Sequence, residues 1–400
     1  MRIVIDPSKA SGTVAAPPSK SLLHRALICS FLAGGGTVRN AEMSEDVLAT
    51  LDCIEALGGK YEITDDTITV CGSFSANAKN IVLPCRESGS TLRFLIPVIL
   101  AMKCQATFTG MGNLLSRPLD FYEKYCAANG YTFAKNETGI TVSGMLNPGY
   151  FEIPGDVSSQ YVTGMLFGLS VLKGKSVVKL VPPFTSRPYI ALTLGMLKRF
   201  GISAGFTDES TLEITGGTYT PCDLEIEGDW SNSAFLSCFN YLGGSVKVTG
   251  LCEESLQGDK IYTEYFERLR TGSPVIDISD TPDLGPVLFS LAGILNGATF
   301  TGTKRLRYKE SDRIEAMRIE LKKIGIEMET DDDEVTVHKS QLHTATETIC
   351  GHNDHRIVMA MACVLTLVGG KIDHAEAVCK SFPNFFKKLT ELGIKVTVTD

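Results

Sequence analysis

Ser44-Glu45-Asp46-Val47-Leu48-Ala49-Thr50-Leu51-Asp52-Cys53-Ile54-Glu55-Ala56-Leu57-Gly58 is followed closely by Tyr61-Glu62-Ile63, Asp65-Asp66 and Thr67-Ile68-Thr69-Val70. The first stretch opens with a serine that can accept an orphan helix N–H. It continues with an amphipathic body and ends at a glycine that can turn left-handed. It therefore predicts a three-turn helix with both ends written in the sequence. The apolar residues that follow lie on either side of an acidic turn, which predicts two short strands.

The same plan returns in Ser116–Gly144, Ser186–Gly217, Ser311–Lys339 and Ser381–Asp400. From each serine to its helix-ending glycine is 14, 14, 15, 14 and 12 residues along the chain, the opening stretch included. A degenerate sixth copy runs from Asp259 to Gly272 and on to Ile278. Six apolar segments alternate with these: Lys20–Leu32, Glu87–Met102, Ser158–Leu172, Ser231–Leu242, Pro282–Leu295 and Asn353–Val368. Apolar on nearly all sides, they predict buried helices. The unit is buried helix, strand, capped helix, strand, turn, strand. Unit starts at 20, 87, 158, 231, 282 and 352 give steps of 67, 71, 73, 51 and 70 residues. Six such units exceed one core of ordinary domain size. Two α/β domains of three units each are expected, with a boundary near Glu227-Gly228-Asp229.

Charge narrows the function. The 400 residues carry 38 Lys and Arg against 46 Asp and Glu, a net charge of −8, and no basic run. A dedicated nucleic-acid surface would be basic. The 12 cysteines include no CxxC pair, and the first residues lack the apolar core of a secretory leader, so reduced thiols in a cytoplasm are expected. The longest apolar run, Ile357 to Val368, is too short to span a bilayer.

The predicted buried helices begin with polar clusters: Lys20-Ser21 with Arg25, Glu87-Ser88-Gly89-Ser90, Ser158-Ser159-Gln160, Pro282-Asp283 and Asn353-Asp354-His355-Arg356. Capping explains any one of them. Lys and Arg, however, are electrostatically misplaced at a helix N-terminus unless an anion joins them. Ser116-Arg117-Pro118, Ser186-Arg187-Pro188, Lys309-Glu310-Ser311-Asp312-Arg313 and Lys380-Ser381-Phe382-Pro383 add cations at the starts of the capped helices. Arginine forks suit carboxylate and phosphate. His352 and His355 have no metal-site spacing, so neither a metal nor a cofactor is expected.

In combination these motifs, with Ser88-Gly89-Ser90-Thr91 and Arg93, resemble the 3-phosphoshikimate 1-carboxyvinyltransferases, also called 5-enolpyruvylshikimate-3-phosphate synthases, of the enolpyruvyl transferase family. The resemblance runs from about Pro18 to Phe386. It implies two domains, each of three βαβαββ-like repeats around a pseudo-threefold axis, with the active site in the interdomain cleft. Residues 1–14 and 227–400 would form one domain and 15–226 the other. The implied reaction moves the enolpyruvyl group of phosphoenolpyruvate to the 5-hydroxyl of shikimate 3-phosphate by addition and elimination.

Matched by position, Lys20, Ser21, Arg25, Ser158, Ser159, Gln160, Ser186, Asp283 and Lys309 would hold shikimate 3-phosphate. Lys20, Gly89, Arg117, Gln160, Arg313, Arg356 and Lys380 would hold phosphoenolpyruvate. Asp283 is the expected base at the 5-hydroxyl. Glu310 is expected to move the proton at the methylene carbon, with Lys20 assisting. The resemblance further implies a cytoplasmic monomer acting on two small molecules, without nucleic acid or membrane, and a glyphosate target. Two positions depart from the pattern: Glu87 and Arg305 stand where members carry asparagine. The alternative is the sister transferase acting on UDP-N-acetylglucosamine. Its loop cysteine before the Arg-Pro pair is missing from Gly110-Met111-Gly112-Asn113-Leu114-Leu115-Ser116.

Overall fold

The computed structural model describes residues 1–74, 81–155 and 158–399. Asp400, the end of the last capped stretch, lies outside them. The chain divides into two compact units, residues 1–17 with 227–400 and residues 18–226. Each unit has its own hydrophobic core.

Among the described residues twelve α-helices follow in chain order: α1 Lys20–Leu32, α2 Glu45–Ala56, α3 Gly89–Ala101, α4 Asp120–Ala128, α5 Ser159–Ser170, α6 Arg187–Arg199, α7 Trp230–Ser237, α8 Tyr262–Thr271, α9 Gly285–Ile294, α10 Arg313–Lys322, α11 His355–Val368 and α12 Phe385–Glu391. The odd-numbered helices are the apolar ones, and their sequences bury nearly every side chain. In α3 only Ser90 escapes burial.

Three four-stranded sheets share one plan in unit 18–226. Ile81–Pro84, Gln105–Thr109, Gly139–Ser143 and Thr132–Lys135 lie in that spatial order. The first pair is parallel, because a buried helix separates its strands in the chain. The rest are antiparallel, because a capped helix returns the chain to a hairpin. The sheets built on Gly174–Val181 and Gly35–Arg39 repeat the pattern.

The other unit repeats it with two changes. Arg2–Asp6 inserts between Gly370–Asp373 and Lys395–Thr399, so the chain's first strand supplies the missing hairpin partner of its last. The copy holding α7 and α8 has only the parallel pair Ser11–Ala15 and Ser245–Thr249. It lacks the hairpin, which accounts for its shorter step in the sequence. Two strands are also exchanged. Ser11–Ala15 precedes α1 but pairs with the strand after α7. Leu224–Glu225 precedes α7 but pairs with the strand after α1.

The helix ends correct the sequence reading in part. Gly58, Gly130, Gly201, Gly325 and Gly393 are all left-handed, with φ between 67° and 99°. Among the serines only Ser44 caps as expected, accepting from Val47 N. Ser116 ends a 3-10 turn instead. Pro118 forces Arg117 extended, and α4 starts only at Asp120. Ser381 likewise precedes Pro383, and α12 begins four residues later. Asp312, not Ser311, caps α10. Ser186 occupies the N-cap position in a left-handed conformation, φ 58°.

Candidate active site

In unit 18–226 the starts of α1, α2, α3, α5 and α6 are tied together by polar side chains. Lys20 Nζ donates to Asp46 Oδ2 (2.7 Å) at the start of α2. A buried chain then runs from His24 Nδ1 to Thr50 Oγ1 (2.7 Å), on to Thr91 Oγ1 (2.8 Å) and Ser88 Oγ (2.7 Å). Helices α3 and α5 approach backbone to backbone. A β-carbon on Gly164 would lie 2.3 Å from the Arg93 carbonyl, so only glycine fits. That approach sets Arg93 Nη1 3.2 Å from Gln160 Oε1, while Gln160 Nε2 donates to Ser90 Oγ (3.0 Å).

Two guanidinium groups lie over Gly89. A β-carbon there would meet Arg117 Nη1 at 2.7 Å and Arg93 Nη1 at 2.8 Å. The Pro118 carbonyl accepts from both Arg93 Nη2 (2.9 Å) and Tyr161 Oη (2.8 Å). Arg25 is nearly as buried. It donates to Thr193 Oγ1 (2.9 Å), the Ser21 carbonyl (2.6 Å) and the Tyr189 carbonyl (3.1 Å), and its guanidinium lies 5.2 Å from the Phe94 ring. Every hydrogen bond from Arg25 and Arg93 ends on a neutral oxygen. Burial pulls both down to about 10, and the nearby Arg117 charge adds to the effect on Arg93.

Ser158 caps α5 by accepting from Gln160 N (3.2 Å), and Ser159 opens that helix. Ser186 is buried at the start of α6. Glu87 turns onto the following loop: a β-carbon on Gly112 would lie 2.6 Å from its Oε2.

The other unit gathers charges of both signs. Asp283 sits in a 3-10 turn leading into α9. Its Oδ1 accepts from Arg313 Nη1 (2.9 Å), its Oδ2 accepts from Arg356 Nη2 (2.9 Å), and Lys309 Nζ lies 3.6 Å away. Arg313 also donates to Glu310 Oε2 (2.7 Å) and to both oxygens of Asp354 (2.8 and 3.3 Å). Against the cost of burial, Asp354, Glu310 and Asp283 raise its pKa. Burial pulls Lys309 down to about 8, helped by Arg305 and Arg313 and opposed by Asp283 and Glu310. Lys380 Nζ donates to the Asn353 carbonyl (2.6 Å), one residue before Asp354.

Most of the expected site residues are thus at or beside a helix start; Arg25 lies in the second turn of α1, and Lys380 ends a 3-10 turn. Direct contacts unite Asp283, Lys309, Glu310, Arg313 and Arg356 in one unit, and Arg25 with Ser21 in the other. Gly89, Arg117 and Gln160 meet around Arg93. The geometry adds four side chains to the expected set. Asp46 reads in sequence as an ordinary acid in a first turn. Asp354 reads as a cap, which it also is. Arg93 lies one helical turn beyond Gly89, in the motif already quoted, and that spacing was its signal. Asp259 is buried in the degenerate copy. Burial and the Asp283 charge push it up to about 7, against Arg356.

Comparisons with known proteins bear on the family and the fold. The family pattern for EPSP synthase (3-phosphoshikimate 1-carboxyvinyltransferase) matches residues 4–389. A 3-phosphoshikimate 1-carboxyvinyltransferase of Clostridium kluyveri is 37% identical, covering 98% of this chain and 97% of the relative. One of Clostridioides difficile is 36% identical with the same coverage. Among solved structures, an EPSP synthase of Acinetobacter baumannii superimposes with a TM-score of 0.79 at 23% identity over the whole of both chains. The enolpyruvyl transferase NikO of Streptomyces tendae gives 0.80 at 16% identity, covering 100% of this chain and 98% of that one. The two structures speak for the fold, and the sequence matches carry the further conclusion that this chain belongs to the EPSP synthase family.

Proposed function

We propose that this protein transfers the carboxyvinyl group of phosphoenolpyruvate to the 5-hydroxyl of shikimate 3-phosphate and releases phosphate. The observation that carries the reading is the Asp283 carboxylate held between Arg313 and Arg356 with Lys309 beside it. In a member of this family, that is a carboxylate oriented by the same cations that attract the substrates.

In the addition step, the methylene carbon of phosphoenolpyruvate gains a proton and C2 becomes electrophilic. The 5-hydroxyl oxygen bonds to C2 as its proton passes to Asp283. In the elimination step a methyl proton leaves, the double bond returns, and the C2–O bond breaks with its electron pair going to phosphate. Glu310 gives and takes back the carbon-bound proton, assisted by Lys20. Its bond to Arg313 supports this assignment by fixing the carboxylate within reach of the same cluster.

Arg25, Ser21, Ser158, Ser159, Gln160, Ser186 and Lys309 bind shikimate 3-phosphate in this reading. Gly89, Arg117, Gln160, Arg313, Arg356 and Lys380 bind phosphoenolpyruvate. Lys20 touches both. At Gly89 the missing side chain leaves room beside two guanidinium groups. The enzyme acts as a monomer in the cytoplasm, a placement supported by twelve free thiols. No helix among the described residues is long and apolar enough to cross a membrane.

The test is phosphate release by the purified protein. It is expected from phosphoenolpyruvate only when shikimate 3-phosphate is present. Turnover with UDP-N-acetylglucosamine in its place would overturn the reading.

A further inference from the structure

The turn that delivers Asp354 and Arg356 is strained. His352 and Asn353 both lie in the left-handed region, with φ of 49° and 53°. Residues other than glycine adopt that conformation uncommonly and at a cost, although His and Asn tolerate it better than most. The turn lies between the short strand Ile349–Cys350 and α11. What it holds is substantial. The Asn353 carbonyl accepts from Lys380 Nζ. The Asp354 carboxylate accepts from Arg313, from Ser311 Oγ (3.1 Å) and from Arg356 N (2.9 Å).

One helix face grips this turn at two points. Arg313 and Glu320 are seven residues apart on α10 and so share a face. Arg313 reaches Asp354. Glu320, almost fully buried, accepts from His352 Nε2 through Oε1 (2.8 Å), and from Cys350 N (2.9 Å) and Lys323 Nζ (2.8 Å) through Oε2. Lys323 also donates to the Thr348 carbonyl (3.0 Å), which ties the strand before the turn to the same helix. The His352 ring thus ties one of the two left-handed residues directly to Glu320.

We propose that His352 is a positioning residue. Its ring, held by Glu320, fixes the turn from Gly351 to Asp354 and thereby places Arg356 and Lys380 for phosphoenolpyruvate. The inference rests on the proposed function for that substrate alone. The clamp on the turn can be measured independently of it.

The experiment uses the full chain with His352→Ala and His352→Gln. Amide exchange is followed in peptides covering residues 350–358, and KM and kcat are measured for both substrates. In His352→Ala, exchange in that segment rises about fivefold. KM for phosphoenolpyruvate rises about tenfold, while kcat and KM for shikimate 3-phosphate stay within about twofold. Glutamine can still donate to Glu320, so His352→Gln returns both readouts to within about threefold of the parent. Should alanine fail to fold at φ 49°, His352→Gly removes the ring without the strain and is expected to show the same losses.

Unchanged exchange overturns the clamp, whether or not the parent is active. Faster exchange with an unchanged KM for phosphoenolpyruvate overturns the positioning role, as does a glutamine variant no better than alanine. An inactive parent sinks the transferase reading, and with it the role toward phosphoenolpyruvate, while exchange still decides the clamp.

Discussion

The two polar clusters use the same residue types to opposite electrostatic ends. Around Gly89, the buried Arg25 and Arg93 donate only to neutral oxygens, and burial lowers both. Around Asp283, the buried Arg313 donates to three carboxylates, which raise it. Arg25 and Arg93 thus carry charges that no carboxylate among their described partners offsets, and an incoming anion can neutralise them. The second cluster is already neutralised and carries acids able to accept and return protons. Affinity for phosphorylated anions should therefore depend most on the first, and turnover on the second.

Asp283→Ala is the most damaging way to test that division. Loss of a positioned general base lowers kcat about 1,000-fold. Binding of shikimate 3-phosphate, followed by calorimetry, is expected to persist. Near-normal turnover would remove Asp283 as the base.

The same substitution made in both clusters separates them next. Arg313→Met leaves Asp283, Glu310 and Asp354 buried or half-buried without their shared cation. Breaking one side of such a network costs about 3–5 kcal/mol in denaturant unfolding. Arg93→Met leaves little stranded, because Tyr161 still donates to the Pro118 carbonyl. About 1 kcal/mol is expected there. Its penalty falls on KM for phosphoenolpyruvate, which rises about 100-fold as the guanidinium that lies over Gly89 and holds Gln160 is lost from that binding set. Equal destabilisation by the two variants would erase the contrast.

Lys309 offers a gentler probe through pH. Its amine, pulled down to about 8, loses its charge as pH rises past that value. KM for shikimate 3-phosphate should therefore climb above about pH 8, by up to tenfold per pH unit. Stability should move the other way. The unfolded chain holds this proton up to about 10.5, so unfolding takes up a proton between about 8 and 10.5. The contribution of Lys309 to stability then rises with pH across that window. Lys309→Arg should flatten the KM profile, and a slope that survives it would assign the titration elsewhere.

How far the sequence reached follows from the same contacts. Helix-ending glycines and apolar helix bodies are local signals, and all five glycines are left-handed as read. The serine caps were less legible because proline displaced two helix starts and Asp312 took a third. The strand exchange between Ser11–Ala15 and Leu224–Glu225 left no local mark, since both strands lead helices in the usual order. In the site, the cations stood out because they oppose the helix dipole. Two of their acidic partners did not. Asp46 and Asp354 occupy positions where acids are ordinary, and they meet Lys20 and Arg313 from 26 and 41 residues away.

Glu87 sharpens the contrast at the small end. It is an acid in the cluster whose buried arginines donate only to neutral oxygens, two residues before Gly89. Its carboxylate lies against Gly112, on the loop that leads to Arg117. From that position the charge is expected to act on a bound anion only weakly, as a screened interaction. Glu87→Asn, which removes the charge and keeps a polar side chain, is therefore expected to lower KM for phosphoenolpyruvate by only about twofold. A fall of about tenfold or more would mean that the carboxylate faces the anion directly. The contrast between the two clusters would then narrow, because an acid would face the anion in both.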